Sequence, residues 1–379
     1  MVQGASFGEA SPGKAPQKTS DFVTNRALQS CVVVALSAVV SLAGAASAQE
    51  VQTISYTPDY PGGVTDHVIL VSIDGLRPDA IATHDAPTLQ RLMSEGAYSL
   101  AAMTIVPSKT LPSHASMLTG VGPEVHGITW NSHDEDRLGY VEVPTVFELA
   151  HAAGLTTAAF VAKAKFRHLL DPAVVDYFEA PSGNAANHMA TRIVERAIGY
   201  LRHERPNLLF VHFGEPDFAG HTLGWMGTGY GWAVRQSDAA VARLIEAADE
   251  TYGAGRYTLV VTADHGGHER THGTADPIDR AIPWIVYGEG VRGGAAELLP
   301  GIRTMDTAAT VLWMLNIQPP ASWAGRVVTG AFDPSVAEAI AEVESDLPPG
   351  SVAEMIEPGY RFHDKILRPV RVKVAKPKQ

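Results

Sequence analysis

The sequence predicts an α/β protein built on a doubly wound, mostly parallel sheet with helices on both faces. Three observations carry this expectation. Short runs rich in Val, Ile and Leu recur along the chain, helical patterns separate them, and polar residues gather where the apolar runs end.

The apolar runs lie at residues 67–73 (HVILVSI), 156–161 (TTAAFV), 208–213 (LLFVHF) and 257–262 (YTLVVT). Runs this short and this uniformly apolar suit strands buried on both faces. Helices are expected over 86–95, closed by Gly96, over 143–153, closed by Gly154, and over 185–204, 232–251 and 304–315. Glycine directly after a helical pattern suits a C-cap. In a sheet wound this way, ligands sit beyond the carboxyl ends of the strands.

The chain has 379 residues, 45% hydrophobic and 18% charged, enough to bury a large core. Its 35 Gly and 25 Pro are spread without a repeat and read as turns, which excludes collagen and disordered classes. Lys14, Lys18 and Arg26 precede an apolar run at 32–46 that ends in Ala46-Ser47-Ala48. That pattern is a secretory signal peptide with an A-x-A cleavage site, so residues 1–48 are set apart from a single domain at 49–379. The alternative is an uncleaved N-terminal anchor. The fifteen apolar residues fall short of the ~20 that a spanning helix needs, so no transmembrane segment is expected in the mature chain, which is placed in the periplasm or secreted.

Losing the leader removes three basic and two acidic residues, moving the formal charge from −12 to −13. No basic footprint for nucleic acid is present. Cys31, the only cysteine, leaves with the leader, which excludes disulfides and thiolate metal sites. An acidic protein that binds an anionic substrate needs local positive charge, for which bound metal ions are one source.

Three strands end in polar residues that packing does not require: Asp74-Gly75, Glu215-Pro216-Asp217 and Asp264-His265-Gly266. A single Asp at a strand end is ordinarily a turn or cap residue, but three converging ends point to a site. Asp217 and His221 stand four residues apart, Asp264 and His265 are adjacent, and Thr271-His272-Gly273 adds an imidazole on a Gly-rich loop. Carboxylate oxygen with neutral imidazole suits Zn²⁺ or Mn²⁺. Six ligands make two three-ligand sites, and two divalent ions ~4 Å apart suit in-line displacement at phosphorus. Between the ligand segments, Pro107 to His114 (PSKTLPSH) runs into a short apolar helix ending at Thr119-Gly120. Thr110 falls at its N-terminus, where free N–H groups favour an anion; it is a nucleophile candidate, and capping by Thr110 or Ser113 is the plainer alternative.

These motifs together resemble the alkaline phosphatase superfamily, and within it the nucleotide pyrophosphatase/phosphodiesterase (type I phosphodiesterase) branch. The resemblance rests on Ser72-Ile73-Asp74-Gly75, Thr110-Leu111-Pro112-Ser113-His114, Pro123 to Asn131 (PEVHGITWN), Asp217 with His221, Asp264 with His265, and His272-Gly273. Leu111 and Ser113 depart from the Phe and Asn usual at those positions. It implies an alkaline-phosphatase-like core and two zinc ions, one on Asp217, His221 and His272, the other on Asp74, Asp264 and His265 with Thr110 bridging. His268 is the alternative to His272. It further implies attack by Thr110 on phosphorus, a phosphothreonine intermediate hydrolysed by an activated water, and Asn131 as donor to a phosphoryl oxygen.

Lys163-Ala164-Lys165 follows the second expected strand and is read as a substrate contact or as a solvated helix face. Such a lysine pair departs from the diesterase pattern and resembles monoesterases and phosphonoacetate hydrolases. Trp130, Tyr230 and Trp232 are candidates to stack a nucleobase. The leading expectation is an exported two-metal phosphodiesterase or nucleotide pyrophosphatase acting on a nucleotide or other small phosphodiester. The alternatives are a phosphomonoesterase or phosphonate hydrolase on the same scaffold, and an inactive metal-stabilised binding protein. The basic C-terminal tail, from Lys365 to Lys378, is read as solvated or as an edge strand.

Overall fold

The structure, a computed structural model, describes residues 64–181, 189–298 and 300–332, together with strand backbone between 337 and 376. The expected signal peptide, the boundary at residue 48 and the start of the helix expected from 185 lie outside the described residues.

The main sheet comprises β1 (Val68–Ile73), β2 (Ala97–Met103), β3 (Thr157–Phe160), β4 (Tyr177–Glu179), β5 (Leu208–Phe213), β6 (Thr258–Thr262), β7 (Ala281–Gly288) and β8 (Ala296–Glu297). Their order is β4-β3-β5-β1-β6-β7-β2-β8. Strand β7 pairs antiparallel with β6 and β2, and every other pairing in this sheet is parallel. The four strands expected from sequence are the contiguous block β3-β5-β1-β6, and each is buried along its whole length. Burial on both faces removes the polar alternation of a half-exposed strand, which is why they read as unbroken apolar runs. By contrast, β2 (AYSLAAM) alternates irregularly between buried and exposed residues and shows no such run.

Helices flank the sheet: α1 (Ala80–Thr83), α2 (Pro87–Glu95), α3 (Thr110–Thr119), α4 (Pro123–His126), α5 (Glu135–Leu138), α6 (Val146–Ala152), α7 (Ala190–Glu204), α8 (Glu215–Leu223), α9 (Thr228–Tyr252), α10 (Pro277–Arg280) and α11 (Asp306–Met314). The helices expected from periodicity correspond to α2, α6, α7, α9 and α11. Gly96 does follow α2, but at φ −113 it is no left-handed cap. A Cβ there would stand 2.2 Å from the carbonyl oxygen of Val286, so glycine is required by the close approach of β7. Helix α6 ends one residue before its expected end, with Ala153 as the cap and Gly154 beyond it at φ +78.

The register brings three strand ends level. Ile73 lies beside Phe213, and Ser72 beside Thr262, so the residues that follow β1, β5 and β6 emerge side by side. Beyond the main sheet, β9 (Ala337–Glu344), β10 (Val352–Glu357) and β13 (Val370–Lys376) form a second sheet, and β11 (Tyr360–Phe362) pairs with β12 (Lys365–Arg368). In the basic tail, Lys365–Arg368 and Val370–Lys376 are strands, and β13 pairs with β10 on one side and β9 on the other, so it is the central strand of its sheet and not the edge strand expected; Lys378 lies outside the described residues. Among the described residues, no helix is long and apolar enough to cross a membrane.

Candidate active site

Four neighbouring strands deliver the candidate residues. Asp74 leaves β1 with its N–H donating to Phe213 O at 2.9 Å, and the N–H of Asp217 donates to Asp74 O at 2.9 Å. Asp217 lies in the first turn of α8, with His221 one turn later on the same face. Gly75, at φ +71, permits this contact: a Cβ would come within 3.0 Å of the Asp217 Cα. Asp264 and His265 follow β6, and Asp264 Oδ1 accepts from the N–H of Gly75 (3.1 Å) and of His265 (3.0 Å). His272 arrives from the loop beyond.

The imidazoles are oriented by backbone carbonyls. Nδ1 of His221 lies 2.9 Å from Arg270 O, that of His265 2.8 Å from Gly266 O, and that of His272 2.7 Å from Ser108 O. A carbonyl only accepts, so each Nδ1 is protonated and each Nε2 is turned inward. There the nitrogens meet carboxylate oxygens. His221 and His272 Nε2 lie 3.3 and 3.4 Å from Asp217 Oδ1, and His265 Nε2 lies 3.3 Å from Asp74 Oδ1 and 3.2 Å from Asp264 Oδ2. Asp74 Oδ1, Asp217 Oδ1, Asp264 Oδ2 and His265 Nε2 are buried without a hydrogen-bond partner among the described residues.

Lone pairs turned toward one another repel unless a cation lies between them, and an unsatisfied buried polar group costs about 1–3 kcal/mol. The donor set therefore fits metal ions. Among the described residues, two groups have ligand atoms within 4.8 Å of one another, Asp217 with His221 and His272, and Asp74 with Asp217 and His265. The first is the set the resemblance implies. In the second, Asp217 stands where Asp264 was implied, although Asp264 Oδ2 keeps its contact with His265. The field of the pocket is cation-seeking. Burial opposes a charge on His265, yet Asp264 and Asp74 carry its pKa up to about 9. Burial, with Asp74 beside it, pushes the Asp264 carboxyl up to about 7.

Thr110 is the first residue of α3, a helix buried at every position, and is itself only 1% exposed. The expectation of several free N–H groups at this helix start is not met. The N–H of Leu111 donates to Asn131 Oδ1 at 2.9 Å, Pro112 has none, and Ser113 N–H returns to Lys109 O at 3.0 Å. Asn131 Oδ1 also accepts from Lys165 Nζ at 3.0 Å, which leaves the amide nitrogen as the donating end. Lys163 Nζ lies 2.6 Å from Asp74 Oδ2, 2.6 Å from Asp217 Oδ2 and 3.5 Å from Thr110 Oγ1. Burial disfavours its charge, but Asp217 and Asp74 more than reverse that and raise its pKa. Lys165 has no such partner, and burial together with Lys163 lowers it to about 8.

The structure thus brings Asp74, Thr110, Asn131, Lys163, Lys165, Asp217, His221, Asp264, His265 and His272 to one place. His268 is elsewhere engaged, its Nδ1 2.7 Å from Asp279 Oδ1. Tyr230 is also removed from the stacking candidates. It is fully buried and its hydroxyl donates to Gly75 O at 2.9 Å. Trp232 is exposed on α9, and Trp130 sets its ring edge-on to His168.

Sequence reasoning missed His212. Its Nδ1 accepts from Ala162 N–H at 3.2 Å, so Nε2 carries the proton and donates to Asp74 Oδ2 at 2.9 Å. The available signal was a lone imidazole inside the apolar run LLFVHF. His114 is a strut, donating from Nδ1 to Thr110 O at 2.8 Å and accepting at Nε2 from Ser72 Oγ at 2.8 Å.

A mostly parallel sheet whose strand ends carry carboxylate and imidazole in these two groups defines an alkaline-phosphatase-like α/β protein with a candidate two-metal centre. The chain belongs to the type I phosphodiesterase / nucleotide pyrophosphatase family, whose pattern it matches over residues 68–356. It is similar to ectonucleotide pyrophosphatase/phosphodiesterase family member 3 of Mus musculus, 28% identical over 221 residues, which cover 54% of this chain and 25% of that protein. Family member 1 of Homo sapiens is 24% identical over 226 residues, covering 55% and 24%. The chain therefore spans about a quarter of the length of these curated relatives. The fold is also that of murine ectonucleotide pyrophosphatase / phosphodiesterase 5, with a TM-score of 0.57 and 16% identity over 67% of this chain and 96% of that one. An inactive variant of that protein is known in complex with AMP.

Proposed function

We propose that the chain is an exported two-metal hydrolase of phosphoric esters that acts through a phosphothreonine on Thr110 and takes phosphodiesters or pyrophosphates such as nucleotides. One observation carries the reading: two carboxylate–imidazole groups share Asp217, beside a buried threonine hydroxyl. Asp217, His221 and His272 would hold one ion, and Asp74, His265 and Asp264 the other, with zinc or manganese suited to these donors. Such ions, when bound, polarise phosphoryl oxygen and increase the acidity of hydroxyl and water.

The chain's own groups supply the rest. Thr110 Oγ attacks phosphorus in line, and the ester oxygen leaves from the opposite side. Water then attacks the phosphothreonine and returns the hydroxyl. Asn131, its Oδ1 occupied by Leu111 and Lys165, donates from Nδ2 to a non-bridging oxygen as charge develops there. His114 holds the Thr110 carbonyl and so the start of α3. The nucleotide preference is supported by the family and by the AMP complex of the structural relative. Export, to the periplasm or the medium, rests on the N-terminal pattern at 1–48.

Lys165 favours a second reading. An ammonium 3.0 Å from Asn131 Oδ1 suits a substrate with one more negative charge than a diester, a monoester or a carboxylated phosphonate. The deciding measurement is kcat/KM for a bis-aryl phosphodiester against the matching aryl monoester, with zinc-loaded mature protein. The leaving group is shared, so the ratio reports what the site does with the second substituent. A ratio well above one is expected. A ratio well below one makes the second reading the function, and turnover of neither ester would leave a metal-stabilised binding protein.

A further inference from the structure

The carboxylates of Asp74 and Asp217 divide their oxygens between two tasks. Both Oδ1 atoms meet imidazole nitrogens and have no hydrogen-bond partner. Both Oδ2 atoms are engaged by one ammonium, Lys163 Nζ, at 2.6 Å each, and the Asp74 Oδ2 also accepts from His212. Lys163 enters from the end of β3 and is 7% exposed, so its charge is met by protein groups.

We propose that Lys163 is a permanent counter-ion of the metal centre: it clamps the Oδ2 edges of Asp74 and Asp217, keeps their Oδ1 edges turned to the metals, and stays on those oxygens when metal is bound. The inference rests on the two-metal reading above. Two carboxylates brought this close in a buried site repel each other, and without a cation between them they splay apart or take up protons. An ammonium on the outer edges holds the pair ionised and oriented while leaving the inner edges open. It also opposes the metals, because a positive charge a few ångströms from a divalent ion weakens its binding. The two lysines then have different duties. Lys163 is a positioning residue, whereas Lys165, tied to Asn131 alone, is the one left to meet substrate charge.

The test measures zinc affinity of the chelator-stripped mature protein by competition with a chromogenic chelator, for wild type, Lys163→Met and Lys163→Gln. Both neutral variants are expected to bind zinc at least about tenfold more tightly, since an opposing charge is gone. Stripped of zinc, they should also melt about 5 °C or more below wild type, because two buried carboxylates lose their partner. Should a stripped variant fail to fold, amine labelling of the wild type read by mass spectrometry needs no variant: Lys163 is expected to stay unlabelled with zinc and without it. Labelling of Lys163 on zinc loading means that the metal displaces it and overturns the proposal. Zinc affinity in the folded variants that is unchanged or weaker than wild type does the same. A wild type that takes up no zinc overturns the two-metal reading instead, and the melting difference between stripped proteins separates that failure from this one.

Discussion

Replacing Thr110 with alanine removes one hydroxyl from a buried position and leaves every carboxylate and imidazole of the centre in place. Because that hydroxyl is the proposed nucleophile, kcat/KM of Thr110→Ala is expected to fall by roughly a thousandfold or more, with zinc content per chain unchanged. Parallel turnover assays and metal analysis check this, and near-normal turnover would remove the phosphothreonine from the mechanism. The candidate site residues were legible because carboxylate, imidazole and hydroxyl stand out at strand ends, where packing does not call for them. Their supports were not. His212 lies 138 residues from Asp74 in sequence and Lys163 lies 54 from Asp217. Nothing local in LLFVHF or AKAKF distinguishes a side chain that orients a ligand from one that fills space.

Elements show the same division. The central strands could be read since burial on both faces removes polar alternation, and α2, α6, α7, α9 and α11 since their apolar residues recur at helical spacing. Helix α8 could not be read this way: in EPDFAGHTL the buried side includes Glu215, Pro216 and Asp217, so no apolar stripe marks it. Nor could the cap of α2. The residue before it, Ala86, makes no side-chain cap, and the N–H groups of Thr88 and Leu89 donate instead to Asp238 on α9, at 3.1 and 2.8 Å. Asp238→Ala should therefore cost about 1–2 kcal/mol of stability, as lost caps and unpaired buried donors do. Urea unfolding would show this as a lower midpoint at unchanged slope. An unmoved midpoint would mean that water serves those donors as well as the carboxylate does.

For one buried histidine, His126, acid is the destabilising direction. His126 accepts from Ile128 N–H at Nδ1, and its Nε2 lies 3.0 Å from Ser116 Oγ. It is buried, and burial lowers its pKa to about 4. The unfolded chain therefore takes up a proton near pH 6.5 that the folded chain refuses until about pH 4. Stability from this group is complete above pH 6.5 and is lost as pH falls toward 4. Urea midpoints measured in chelator should fall relative to those of His126→Gln as pH goes from 7 to 4.5. Equal slopes for the two proteins would remove His126 from the acid response.

The division between chain and fold has a physical cause. Periodicity of burial and the chemistry of side chains are properties of short segments, so the sheet's central strands, its main helices and the ligand types could be read from the order of residues alone. Which oxygen faces an imidazole, which imidazole nitrogen is turned inward, and whether a lysine meets a carboxylate or an amide depend on partners far apart in the chain, such as Gly75 and Asp264, 189 residues apart. Those partners meet only because β3, β5, β1 and β6 lie side by side, so the grouping of the candidate ligands and the contacts of Lys163 and Lys165 were decided by tertiary packing.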